Sequence, residues 1–185
     1  ESLKRIPSKF SFQEAAGFKI AAQTAFVSLV EKAKLEKKQS LLILGGAGGV
    51  GSAAIKLAKT LGAEVIAVAN SLDKQKFCKS LGADQALGYD NLKANVLDLT
   101  DNKGVDVIYD PVGGDIFQEA MGCIKWGGKY LIIGFTNGSI PSFPINIALI
   151  KGIDLMGIRA GEYFRRFPER EEKSMKRIFQ LAETG

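Results

Sequence analysis

Five glycines fall within the seven residues Gly45-Gly46-Ala47-Gly48-Gly49-Val50-Gly51, and three of them, Gly46, Gly48 and Gly51, have the spacing G-x-G-x-x-G. That spacing suits an anion held by main chain rather than by side chains. The first glycine permits a tight turn, the second lets the backbone approach a pyrophosphate, and the third lets a helix pack closely on a strand. Unpaired amides at the start of that helix, together with its dipole, then favour phosphate. A side chain at Gly48 would fill the volume the phosphates need. A nucleoside-triphosphate P-loop is excluded, because it requires Lys and then Ser or Thr after the last glycine, whereas Gly51 is followed by Ser52-Ala53.

A dinucleotide with two free ribose hydroxyls is usually held by an acid about 20 residues past the glycines. This chain carries Asn70-Ser71 there. An acid would repel a 2′-phosphate, while Asn and Ser can donate to one. Lys74 follows near the start of the next helix, and Tyr89 ends the third strand, so the four residues form a predicted anion pocket. The expected cofactor is therefore NADPH rather than NADH. A rival pattern exists, since Gly45-xxx-Gly49-x-Gly51 with Tyr89-xxx-Lys93 fits the glycines and catalytic pair of short-chain dehydrogenases. The pair lies only about 40 residues past the glycines, too early for the helix that should carry it.

No histidine is present, which removes histidine bases and histidine metal ligands from these residues. Cys78 and Cys123 read as free thiols of a reducing compartment, not as a disulfide framework. No acid or base stands out as a proton donor, so no catalytic residue is assigned.

These residues need a scaffold, and the hydrophobic pattern supplies one. Residues 41–44 form a wholly apolar run, the mark of a strand buried on both faces. Beyond the glycines, Val50, Ala54, Leu57, Ala58 and Leu61 share one helical face, and Gly62 ends that helix. The alternation repeats: strands over 64–69, 85–88, 105–110, 129–134 and 153–158, with helices over 72–81, 91–100, 115–124 and 145–150. A charged helix over 168–182 closes the chain, and a Gly/Pro-rich loop runs from the fifth strand to Pro144. Near the start, Ser11-Phe12-Gln13-Glu14 has capping-box spacing for a short helix, and 21–33 reads as a separate longer one. Six strands alternating with helices predict an α/β doubly wound, all-parallel Rossmann-type sheet in the order 3-2-1-4-5-6, with helices on both faces.

The 185 residues suffice for one domain with a core, and 46% hydrophobic with 24% charged content is ordinary for a globular fold. A net charge of +5 suits an anionic small ligand, and no dense basic tract or aromatic-basic interleaving argues for nucleic acid. No apolar run reaches the roughly 18 residues a membrane span needs. The chain opens on Glu1 with no recognisable leader, so it reads as part of a longer protein. A cytoplasmic setting is expected, with a mitochondrial one left open.

The stretches "GGAGGVGSAAIKLAKTLGAEVIAVA", "KSLGADQALGYD", "GVDVIYDPVGGDIF" and "WGGKYLIIGFTNG" together resemble the quinone oxidoreductase (zeta-crystallin-like) branch of the medium-chain dehydrogenase/reductases. Gln13-Glu14-Ala15-Ala16 and Thr24-Ala25-Phe26 extend the likeness over nearly the whole chain. The resemblance implies an NADPH-binding Rossmann domain over 21–185, preceded by a lead-in over 1–20 from a GroES-like catalytic lobe. It implies that Ala47, Gly48, Gly49, Val50 and Gly51 line the pyrophosphate. Asn70, Ser71, Lys74 and Tyr89 would surround the adenosine 2′-phosphate. Thr24, Val112, Gly113 and Phe135 would approach the nicotinamide. Zinc-dependent relatives carry a cysteine ligand four residues before the position of Thr24; Ile20 stands there, which implies a zinc-independent enzyme.

The implied activity is hydride transfer from NADPH to a quinone, or else to an enone or enal. The excised domain alone would bind cofactor without turnover. A non-catalytic nucleotide- or RNA-binding module is the alternative from another class. The apolar sixth strand, 153–158, would lie at a sheet edge, so a homodimer through it is expected.

Overall fold

The core strands are apolar on both faces, and the reason is visible in how their side chains divide. The structure is a computed structural model in which residues 10–184 are described. In β1 (Ser40–Ile43), Leu41 and Ile43 point to one face of the sheet, while Leu42 and the following Leu44 point to the other, all four fully buried. The same division holds in β2 (Glu64–Val68), with Val65 and Ala67 against Ile66 and Val68, and in β4 (Val105–Asp110), with Val107 and Tyr109 against Ile108. Two hydrophobic cores thus sandwich one sheet, and strands with no solvent face have no polar alternation to show.

The sheet has six strands in the order β3-β2-β1-β4-β5-β6, all parallel, as the sequence predicts. The remaining strands are β3 (Gln85–Leu87), β5 (Ile124–Ile132) and β6 (Asp154–Gly157). Between them run α2 (Gly49–Thr60), α3 (Leu72–Ser80), α4 (Leu92–Leu99), α5 (Ile116–Cys123) and α6 (Asn146–Lys151). Before β1 lies α1 (Phe12–Phe26), and after β6 come α7 (Ala160–Arg166) and α8 (Pro168–Thr184).

Several boundaries differ from expectation. The capping box at Ser11 and Glu14 is formed, but the helix it opens does not stop. It runs through Phe26 and on into a π-helical segment, Val27–Lys32, so the two expected helices are one continuous element. Of the expected lead-in, residues 1–9 lie outside the described residues, and the rest belongs largely to α1, which packs on α2 and α8. β5 begins at Ile124, not at 129, because Ile124 pairs with Val105 before a bulge through Trp126-Gly127 brings Lys129 opposite Val107. Gly127 takes φ +74° there, a turn that the sequence shows only as an interruption of the apolar pattern. α7 was not anticipated, since of its residues only Phe164 is buried.

Carboxylates fasten the strand starts. Asp106 accepts from the amide and hydroxyl of Ser40, each at 2.8 Å, and pairs with Lys125, so β1, β4 and β5 are joined at one end. Asp84 binds Lys59 and accepts from the Val65 amide at 2.7 Å, tying the end of α2 to β2. Among the described residues, no helix is long and apolar enough to cross a membrane.

Candidate functional site

At the carboxyl ends of β1 and β4 the chain leaves the sheet in opposite directions, since β2 and β3 lie beyond one strand and β5 and β6 beyond the other. Such a switch point opens a crevice where ligands bind in doubly wound folds. Here it is a cleft of about 620 Å³.

The glycine loop forms its floor. Gly45 takes φ +61° and its carbonyl accepts from Gly48 N–H at 2.9 Å, closing a tight turn. Gly48 then caps α2 without a side chain, so the first amides of that helix, on Gly49, Val50 and Gly51, have neither an intrahelical acceptor nor a capping oxygen. Ala47, Gly48, Gly49 and Val50 line the cleft. Gly51 does not; it is buried, and a Cβ there would collide with Gly45 O and come within 2.9 Å of Gly46 Cα. Its absence of side chain lets helix and loop touch.

One wall follows β2. Asn70 and Lys74 line the cleft, and both are exposed. Asp73, the acid in the first turn of α3, lies 3.6 Å from Lys76, and Lys74 enters no ion pair among the described residues. Ser71 is the N-cap of α3, its hydroxyl oxygen accepting from Lys74 N–H at 3.3 Å, and it is not among the lining residues. Tyr89 lines the cleft, and its hydroxyl accepts from Gly45 N–H at 3.0 Å. Burial holds its phenol above the ordinary value, so it stays protonated.

The other wall is built from the loops after β4 and β5. Val112 lines the cleft together with Thr136 and Asn137, two residues that sequence reasoning missed because they lie in a loop without periodicity. Gly113 is buried at φ +63°, and a Cβ there would stand 2.7 Å from Phe135 Cδ1. Phe135 is therefore packed over the glycine, 41% exposed and off the cleft lining. Thr24 is also off the lining, on α1, where its hydroxyl donates to Ile20 O at 2.8 Å.

Asp110 was missed as well. It is 2% exposed, and its carboxylate accepts from Val112 N–H, Gly113 N–H and Tyr130 O–H. A charge at the end of a strand reads as surface in sequence; only the fold shows it inside. The two thiols are buried and free. Burial raises the Cys78 thiol and pushes Cys123 up to about 12. Among the described residues no group of His, Cys, Asp and Glu could hold a metal ion.

The zinc-binding dehydrogenase family profile matches residues 49–179. A quinone oxidoreductase-like protein 2 homolog of Nematostella vectensis is 35% identical over 187 residues, covering 100% of this chain and 51% of its own. The 2-methylene-furan-3-one reductase of Solanum lycopersicum is 44% identical over 128 residues, covering 69% of this chain and 31% of its own. Escherichia coli quinone oxidoreductase, solved complexed with NADPH, superimposes with a TM-score of 0.86 at 26% identity, covering 96% of this chain and 55% of its own. The chain thus spans about half the length of the quinone oxidoreductase-like relatives it matches.

Proposed function

The chain belongs to the zinc-binding dehydrogenase family, in its medium-chain quinone oxidoreductase group, and on that premise we propose that it holds NADPH in the switch-point cleft and presents it to a quinone or similar electron-poor acceptor. When bound, the cofactor supplies hydride. The chain supplies the holding groups: the amides of Gly49 and Val50 for the diphosphate, with Gly51 packing the loop beneath them, Asn70 and Lys74 for the 2′-phosphate, and the loops of Val112 and Asn137 for the nicotinamide end. Ser71 and Tyr89 border the 2′-phosphate in this reading, and Thr24, Gly113 and Phe135 the approach to the nicotinamide.

One observation carries the proposal. Among the described residues, Lys74 has no acid partner and opens on the same cleft as the free amides at the start of α2, and no carboxylate lines that cleft. That combination of groups suits a dinucleotide with a third phosphate at one end. Calorimetric titration of the chain tests it. NADPH is expected to bind about ten- to a hundredfold tighter than NADH, the worth of one charge-assisted contact of about 1.5–3 kcal/mol. Lys74→Ala removes that preference and leaves NADH unchanged. Equal affinity of the native chain for both cofactors overturns the reading.

An α,β-unsaturated ketone or enal is the second acceptor class, favoured by the likeness to the tomato furanone reductase. The acceptor pocket is completed, in this proposal, by residues of a GroES-like lobe outside this chain, so the chain alone binds cofactor without turnover. Zinc independence rests on Ile20, 77% exposed one turn before Thr24 and incapable of ligating metal. The two buried thiols suit a reducing compartment, which we read as the cytoplasm.

A homodimer through β6 is also proposed. Among the described residues β6 pairs only with β5, and Trp126, Ile145 and Leu149 are exposed, each 77% or more. Exposed apolar surface beside an open edge favours a second copy.

A further inference from the structure

Resting on the NADPH reading above, we infer that the buried Asp110–Tyr130 pair is a positioning device for the nicotinamide half of the cleft, fixing the loops after β4 and β5 while leaving the adenosine half untouched.

Three donors converge on one carboxylate. Asp110 Oδ1 accepts from Val112 N–H at 2.7 Å and from Gly113 N–H at 2.9 Å, and Oδ2 accepts from Tyr130 O–H at 2.7 Å. Among the described residues no Lys or Arg pairs with it, so its charge is balanced by dipoles alone. Buried charges are retained only where hydrogen bonds compensate them, and packing alone would be served as well by an apolar side chain. What the carboxylate adds is direction.

The turn it holds needs direction. Gly113 and Gly114 take φ +63° and +65°, and glycines have little conformational preference of their own. The main chain of Asp110 reaches the second loop, its carbonyl accepting from Ile133 N–H at 2.8 Å. The two loops are then zipped together, Pro111 O to Thr136 N–H at 3.1 Å and Val112 O to Asn137 N–H at 3.0 Å. One residue therefore places both Val112 and Asn137 at the cleft. Asn70 and Lys74 hang from β2 and α3 and share no hydrogen bond with the pair. Burial, reinforced by the neighbouring Asp110, keeps the Tyr130 phenol protonated throughout the pH range of a folded protein, so its donation is constant.

The test separates the two halves of the cofactor. The chain is titrated with NADPH and with 2′-phospho-ADP-ribose, which lacks only the nicotinamide. Tyr130→Phe removes one hydroxyl and keeps the ring, which packs on Phe117 at 5.1 Å between centroids; Asp110→Asn is the second variant. In each, NADPH is expected to weaken about three- to tenfold, the worth of one hydrogen bond, while 2′-phospho-ADP-ribose holds within about twofold. Equal weakening of both ligands, or no change in either, overturns the inference. So does loss of folding in both variants by circular dichroism, since the pair would then be holding the domain and not the loops. If the native chain binds both ligands equally, this inference alone falls; if it binds neither, the cofactor reading falls with it.

Discussion

The hydroxyl of Tyr89 accepts the amide hydrogen of Gly45 at 3.0 Å, so the loop leaving β3 is fastened, across the end of β2, to the first residue of the glycine loop that follows β1. Tyr89→Phe leaves that amide without its partner. The expected cost is about 1 kcal/mol of stability. NADPH and NADH should weaken together, because the loop beneath the diphosphate is common to both. Denaturant unfolding and paired titrations check this; weakening confined to NADPH would mean that the hydroxyl serves the 2′-phosphate it borders and not the glycine loop.

Two glycines of the loop should fail differently. Gly51→Ala drives a methyl into Gly45 O and Gly46 Cα, and overpacking against backbone is expected to cost about 1–3 kcal/mol. Gly48→Ala meets only Gly45 O at 3.3 Å, so the fold should be nearly unaffected while NADPH affinity drops by about tenfold or more. Melting temperatures and fluorescence titrations of the two variants distinguish a packing glycine from a binding one.

Acid should loosen the strand starts. Burial opposes ionisation of Asp106, but Lys125 and Ser40 outweigh it and hold the carboxyl below its ordinary value of 3.8. Asp84 is likewise lowered, by Lys59 and the Val65 amide against burial. A carboxyl whose pKa is depressed in the folded state stabilises fully above its unfolded value, and that contribution is lost as pH falls through the folded one. The native chain should thus lose melting temperature below about pH 4, and Asp106→Asn should show a shallower loss over that range while being less stable at pH 7. Thermal melts from pH 7 to pH 3 check the slope.

The edge strand offers a clean probe of dimerisation. Successive amides of a strand face opposite sides. Ile158 N–H donates to Ile132 O, toward β5, so the amide of Gly157 faces the free edge. A side chain at Gly157 meets nothing within 4 Å. Gly157→Pro therefore removes an outward donor and leaves the β5 pairing in place. Light scattering should show a dimer for the native chain and a monomer for the variant, with similar circular dichroism; a native monomer at high concentration removes the dimer.

The parts of the fold that the sequence revealed are those with one physical cause. Strands buried on both faces announce themselves by unbroken apolar runs, as at Leu41 to Leu44, and helices by their stop signals at Gly62 and Gly82, both at positive φ. The glycine loop was legible because backbone demands there leave no choice of residue. Asp110, Thr136 and Asn137 were not, since their role comes from two loops meeting far apart in sequence. Ser71 illustrates a subtler gap: its type fits both an anion donor and a helix cap, and the structure shows it capping. The resemblance puts Phe135 beside the nicotinamide; what the sequence could not show is that its ring packs on Gly113, a residue of the same expected group.

The seam between β1 and β4 joins segments 66 residues apart, as the bond from Ser40 to Asp106 shows. Residues 40–87 form a complete βαβαβ unit on one side of that seam. A molecule lying across the crevice would consequently touch both halves, and its full set of partners exists only where they are joined. Such a ligand would favour the joined state over the parted one, and the more so the higher its concentration above its dissociation constant.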